Sequence, residues 1–223
     1  MPKQHSPRKI LIVDDHPVFR EGLTALVQRE AGLSICGEAS NAAQALTALE
    51  QLKPDLVLVD VSLPGRSGIE LIKDIRELSP QTAVLALSMH EENLYAERVL
   101  RAGGRGYLMK QEAPEKLLQA IRQVLEGQLY LSGKMSARIL NAFSGQRAPT
   151  HSPIAHLTDR ELEILKLIGV GNDSHAIARQ LNVSPKTVDA HRGRLKEKLG
   201  LQNGTELICY AARWVETERL ANA

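Results

Sequence analysis

From Lys9 to about Gly127 short β-branched apolar runs alternate with stretches whose apolar residues recur at helical spacing, the pattern of an α/β domain with a parallel sheet. Five strands are predicted, at Ile10–Val13, Ser34–Glu38, Leu56–Val59, Ala83–Ala86 and Gly106–Met109. All but the second are nearly continuous apolar runs, as strands buried on both faces require. Helices are predicted between and after them at about 17–31, 41–52, 67–79, 91–103 and 113–127. In the second of these, Ala42, Ala45, Leu46 and Leu49 fall at the 3.6 period. Past Leu131 the pattern changes: Ser132–Phe143 reads as a short helix, and 144–153 is rich in turn formers without apolar periodicity, a linker. From Leu157 to Trp214 no strand pattern recurs, and four helical stretches are separated by Gly169–Asn172, Leu181–Ser184 and Gly200–Asn203. The chain thus divides into an α/β domain at 8–127, a linking segment at 128–153 and an all-α domain at 154–219.

Composition adds exclusions. Of the 223 residues, 43% are hydrophobic and 24% charged, and no apolar run approaches the roughly 20 residues of a membrane span. The N-terminal residues lack the apolar core of a secretory signal, so a cytoplasmic protein without membrane contact is expected. Cys36 and Cys209 stand far apart in apolar contexts and suit buried thiols better than a disulfide or metal framework. Charge is uneven beneath the net +2: residues 1–130 carry 15 Lys+Arg against 17 acids, 131–155 three against none, and 156–223 10 against 9. Any nucleic-acid footprint must come from local clustering.

Ligands of open parallel sheets sit at the carboxyl ends of strands. There this chain places Asp14-Asp15 after the first strand, Asp60 after the third, Ser88 after the fourth and Lys110 after the fifth. Clustered carboxylates repel, and a hard divalent cation with oxygen ligands, Mg²⁺ above all, reconciles them. A carboxylate can then attack a phosphoryl group whose oxygens the metal and the lysine neutralise. Asp14 or Asp15 alone reads more readily as a helix cap. Their recurrence at successive strand ends is what favours chemistry. A dinucleotide-binding reading requires G-x-G-x-x-G after the first strand, where this chain has Asp14-Asp15-His16-Pro17.

Residues 9–127 resemble the receiver domain of two-component response regulators through Asp14-Asp15, Asp60-Val-Ser-Leu-Pro64-Gly65, Ser88 and Lys110. The resemblance implies a flavodoxin-like, doubly wound fold with a five-stranded parallel sheet. It implies Asp60 as phosphoacceptor for a sensor histidine kinase, Asp15, Asp60 and the Ser62 backbone carbonyl as Mg²⁺ ligands, and Asp14 as orienting a metal-bound water. Ser88 and Lys110 would bind the phosphoryl group, and Tyr107 matches the switch aromatic. On residues alone, Tyr107 is equally an amphipathic ring packed at a sheet edge. Ser62 and His90 resemble positions that tune dephosphorylation. Gln111 follows Lys110 where many receivers have proline, so the lysine must be positioned by other means.

In the C-terminal part Thr158 and Glu161 form a capping-box pattern before Leu162, Leu165 and Ile168. His175–Leu181, a tight Asn182-Val183 turn and Ser184–Leu199 read as a helix-turn-helix, with Ser184 as N-cap and Pro185 at the first helical position. Burying Val188, Leu195 and Leu199 leaves Lys186, Asp189, Ala190, Gly193, Arg194 and Glu197 on the opposite face. Residues 184–199 hold five Lys+Arg against two acids. By charge alone this is an ordinary solvated face. Small residues at Ala190 and Gly193 admit close approach to bases, with Lys186 and Arg194 able to reach bases or phosphates.

Residues 157–214 resemble the LuxR-type helix-turn-helix of NarL/FixJ regulators through Leu-Thr-Asp-Arg-Glu161, Ile177-Ala178, Leu181, Ser184, Thr187-Val188, His191 and Lys198-Leu199-Gly200. The resemblance implies binding of double-stranded DNA through Ser184, Lys186, Thr187, Asp189, Ala190, Gly193 and Arg194. It also implies a homodimer held through Leu207, Ile208 and Ala211 when active, and leaves RNA polymerase open as a partner. Ser174-His175-Ala176 and Asp189 depart from the family's usual residues; at 189 a carboxylate can accept from cytosine N4 or simply repel phosphate. The linker is long enough for a closed or an open arrangement. A phosphatase with Asp60 as nucleophile is disfavoured because Ser62 stands where a second acid is needed, so an enzyme is not expected. A helix-turn-helix acting through protein contacts without specific DNA is the other alternative.

Overall fold

A computed structural model describes residues 6–89, 92–137 and 153–221. The chain divides into two compact units, Met1–Gln146 and Arg147–Ala223. The first runs β1 (Arg8–Val13), α1 (Pro17–Gln28), β2 (Leu33–Ala39), α2 (Ala42–Leu52), β3 (Leu56–Asp60), α3 (Gly68–Leu78), β4 (Ala83–Ser88), α4 (Glu92–Ala102), β5 (Gly106–Met109) and α5 (Pro114–Leu125). The five strands pair in parallel in the order β2-β1-β3-β4-β5. The order reverses between β1 and β3, so their carboxyl ends flank the crevice where such sheets hold ligands. The apolar strands β1, β3 and β4 are central and buried, whereas β2, the one without an apolar run, is a half-exposed edge.

One face of the sheet offers Ile10, Ile12, Leu56, Leu58, Leu85 and Leu87 to Leu23 and Val27 of α1 and Leu117, Ala120, Ile121 and Val124 of α5. The strand period of two turns the intervening Leu11, Val13, Val57 and Val59 to the opposite face, also buried. There α2, α3 and α4 pack side by side. Each such Val, Leu or Ile contributes about 1.5–3 kcal/mol by leaving water. This double-sided core makes the strand ends rigid supports for polar groups.

Boundaries differ from the sequence reading where polar residues continue a strand. β3 includes Asp60 and β4 includes Ser88, so both groups ride on the sheet itself. The chain after α5 also returns to the sheet: the Tyr107 N–H donates to the Tyr130 carbonyl at 3.0 Å, covering the edge of β5. Of the expected helix at 132–143, residues 133–137 are helical; the rest, and 144–152 of the linker, lie outside the described residues.

The second unit contains a 3₁₀ turn (Pro153–His156), α6 (Asp159–Gly169), α7 (Ser174–Gln180), α8 (Pro185–Leu199) and α9 (Gly204–Ala221). Thr158 and Glu161 close the expected capping box on α6. Ser184 caps α8 by accepting from the Thr187 N–H, and Gly200 ends it in the left-handed conformation. Ile164, Leu165, Ile177, Val188, Leu195, Leu207 and Ala211 form the core. At Gly169 a Cβ would lie 2.5 Å from the Ala211 carbonyl oxygen, so α6 and α9 meet backbone to backbone. Among the described residues no helix is long and apolar enough to cross a membrane.

Candidate phosphoacceptor site and DNA-binding face

The strand ends bring the expected polar residues of the first unit together. Asp14, Asp60 and Ser88 are 1%, 2% and 0% exposed, and Asp15 is half-buried at the rim. Lys110 Nζ donates to Asp60 Oδ2 at 2.6 Å and pairs with Asp14 Oδ2, also at 2.6 Å. The Ser62 N–H donates to the other Asp60 oxygen at 3.0 Å. Burial pushes the Asp60 carboxyl above its ordinary value; Lys110 works against that rise and Asp14 adds to it.

Without a proline after it, Lys110 is positioned by its surroundings. Its N–H donates to the Ser88 carbonyl at 2.8 Å. Its ammonium sits 4.7 Å from the centroid of the Phe19 ring, a cation–π contact from α1. No peptide bond among the described residues is cis. Tyr107 is buried, 2% exposed, on the edge strand β5, which suits both a switch aromatic and a ring packed at the sheet edge.

His16 was not singled out from the sequence. Its N–H donates to Asp14 Oδ1 at 2.9 Å, and its Nδ1 stands 2.9 Å from Asp15 Oδ1 and 3.9 Å from Asp60 Oδ2. Ligand atoms of Asp14, Asp15, His16 and Asp60 all lie within 4.8 Å of one another. Three carboxylates against one lysine leave two negative charges, which a divalent cation matches, and oxygen-rich donors suit Mg²⁺. Gly68 was likewise missed. A Cβ there would lie 2.0 Å from the Asp60 carbonyl oxygen, so α3 can begin against the end of β3 only with glycine. The Ser67-Gly68-Ile69-Glu70 capping box marks this helix start in the sequence, but the close approach is tertiary. His90 lies outside the described residues.

In the second unit Ser184, Lys186, Thr187, Asp189, Ala190 and Arg194 are exposed, Gly193 is half-buried, and Val188 and Leu195 are fully buried beneath them. The helix therefore presents the expected face. Leu199 is only half-buried. Lys198 is exposed but its charge is partly compensated, because its Nζ lies 2.6 Å from the buried Glu161 carboxylate. Burial, with Arg194 and Arg160 nearby, pushes the His191 imidazole below its ordinary value. The Ser174 hydroxyl of α7 donates to Asp189 Oδ1 at 2.7 Å, joining two residues read separately in the sequence.

The dimer residues need correction. Leu207 and Ala211 are 0% exposed, Ala211 where α9 meets α6, so both belong to the domain's own core and their side chains are not presented at its surface. Of the three, only Ile208 is exposed. Helical period identified the apolar stripe without distinguishing its inner from its outer edge.

Residues 10–122 match the response regulator receiver domain, and residues 155–211 match the LuxR family of bacterial regulatory proteins. The nitrate/nitrite response regulator protein NarL of Escherichia coli is 37% identical over 216 residues, covering 96% of this chain and 97% of NarL. The chain belongs to the NarL/FixJ family of two-component response regulators. As a receiver joined to a LuxR-type helix-turn-helix, this response regulator is a DNA-binding transcription regulator of a family that is regulatory rather than enzymatic. It is similar in structure to RcsB from Salmonella enterica serovar Typhimurium bound to promoter rprA with a beryllium fluoride phosphomimetic (TM-score 0.60, 26% identity, 93% of this chain and 99% of RcsB). A structure of two RcsB dimers bound to two parallel DNAs matches with a TM-score of 0.56 and 27% identity over 93% of this chain and 98% of that one.

Proposed function

We propose that Asp60 accepts a phosphoryl group from a sensor histidine kinase, and that this controls dimerisation and promoter binding by α8. The observation that carries the reading is Lys110, whose one ammonium bridges two buried carboxylates, Asp14 and Asp60, at the crevice of the sheet. In the transfer an Asp60 oxygen bonds to phosphorus as the phosphorus–nitrogen bond of a phosphohistidine breaks. The departing imidazole keeps that electron pair and takes up a proton. Asp15, Asp60 and the Ser62 carbonyl would hold Mg²⁺, with Asp14 reaching it through a water, and the ion would neutralise phosphoryl oxygens. Lys110 passes from Asp60 to a phosphoryl oxygen, and the Ser88 hydroxyl donates to another.

The acyl phosphate adds about −1.5 to −2 charges. Ser88 moves toward it and the buried Tyr107 ring follows, which changes the surface of α4, β5 and α5 or that of α1 and α5. In this assignment 8–127 is the receiver, 128–153 the linking segment and 154–219 the DNA-binding domain. Ser184, Lys186, Thr187, Ala190, Gly193 and Arg194 meet double-stranded DNA, Ile208 lies at the homodimer contact, and RNA polymerase is a further partner, all in the cytoplasm. Support for dimers on DNA comes from the RcsB structures. The test is labelling by a small phosphodonor with Mg²⁺: wild type takes up one phosphoryl group, detected by intact mass, and Asp60→Asn takes up none. Labelling that survives in Asp60→Asn sinks the assignment.

A further inference from the structure

Asp189 is exposed on the second turn of α8, beside Lys186, Ala190 and Gly193. Its Oδ1 accepts from the hydroxyl of Ser174, which opens α7. The bond therefore crosses between the two helices of the helix-turn-helix and restrains a side chain that solvent would otherwise leave free to change rotamer. An acceptor oriented in advance loses less freedom on binding. Oδ2 keeps its acceptor capacity.

A carboxylate on a DNA-facing helix is repelled by phosphates, and guanine N7 and O6 and thymine O4 meet it acceptor to acceptor. Two major-groove edges offer donors: cytosine through N4 and adenine through N6. Adenine sets its N7 acceptor beside that donor, a pattern read well by an amide, whose own donor satisfies N7. A carboxylate has no donor for N7, and here one of its oxygens is already engaged. Cytosine presents its N4 amino group with no acceptor beside it on the same base edge. Around Gly193 even a Cβ would find nothing within 4 Å, so the backbone on this face is open to close approach.

We infer that Ser174 and Asp189 act as a unit that reads cytosine in the major groove, so that the operator carries a C·G pair under Asp189. The inference rests on α8 being the recognition helix. The full-length protein, treated with a small phosphodonor and Mg²⁺, selects duplexes from a random library. Each C·G pair of the selected site is then replaced by T·A, which exchanges the N4 donor for the O4 acceptor. One pair is expected at which replacement lowers wild-type affinity about tenfold or more. In Asp189→Ala the penalty at that pair falls below about twofold, and in Ser174→Ala it lies between.

An equal penalty in wild type and Asp189→Ala overturns the inference. A combined Lys186→Ala, Arg194→Ala variant separates the two levels. If it loses affinity while Asp189→Ala keeps the penalty, only cytosine reading fails. If it keeps both affinity and selected sequence, or if wild type retains DNA without sequence preference, the assignment of α8 fails with it. Circular dichroism on each surface variant excludes unfolding as the cause of a lost penalty.

Discussion

In the first unit the functional charges are buried and come from strand ends far apart in sequence, whereas in the second they stand in solvent along a single helix. Asp14 and Asp60 are 1% and 2% exposed and share one ammonium, so each depends on the others for its charge to be tolerated. Lys186 and Arg194 are exposed and can be lost without leaving a buried charge behind. The buried cluster can therefore act as a switch, because a change of charge there disturbs packing. The helix face is built differently: its exposed residues can change with little effect on the fold.

The largest expected effect is Asp60→Asn, which abolishes phosphodonor labelling and, with it, any gain in dimerisation and DNA binding on phosphodonor treatment. Lys110→Ala removes the partner of two buried carboxylates and lowers receiver stability in urea unfolding by about 3–5 kcal/mol, part of which added Mg²⁺ restores. A loss under about 1 kcal/mol would show that the carboxylates do not depend on the lysine. The two steric glycines give a matched pair. Gly68→Ala and Gly169→Ala each cost about 1–3 kcal/mol from overpacking against backbone. Labelling should slow only in the first; equal labelling rates would mean the approach of α3 to Asp60 plays no part in the site.

Smaller effects belong to the exposed face. Lys186→Ala with Arg194→Ala should weaken DNA binding about tenfold and reduce the salt slope by about 1–2, with labelling unchanged. An unaltered slope removes both residues from the phosphate contacts. The smallest concerns Glu161, which anchors α6 to α8. Burial favours its neutral form, but Lys198 and the Thr158 cap outweigh burial and hold its pKa below the ordinary value. Its stabilisation is present above the ordinary glutamate pKa and is lost as pH falls through the depressed folded value. Glu161→Gln should cost about 1 kcal/mol at neutral pH and flatten the acid limb of thermal unfolding. An unchanged acid limb would show that this pair does not set it.

The five strands and the identity of the clustered groups were legible, because apolar runs mark strands and polar residues at their ends mark the crevice, whereas the order of the strands in the sheet was not read from the sequence. Other features were not. The Phe19 ring beside Lys110, the Gly68 contact and the return of Tyr130 to β5 involve segments brought together only by packing. Leu207 and Ala211 carried the same apolar signal as Ile208, and only their burial in the folded domain assigned them to the core.

By itself the sequence determined the two domain types, the element pattern and the chemistry offered at each strand end, since helix caps, periodicity and side-chain type are encoded within a few neighbouring residues. The tertiary structure decided which groups meet: Lys110 with Asp60 across 50 residues, Lys198 with Glu161 across 37, and Ser174 with Asp189 across 15. Those pairings depend on how helices and strands pack in three dimensions, and sequence spacing carries no measure of that distance.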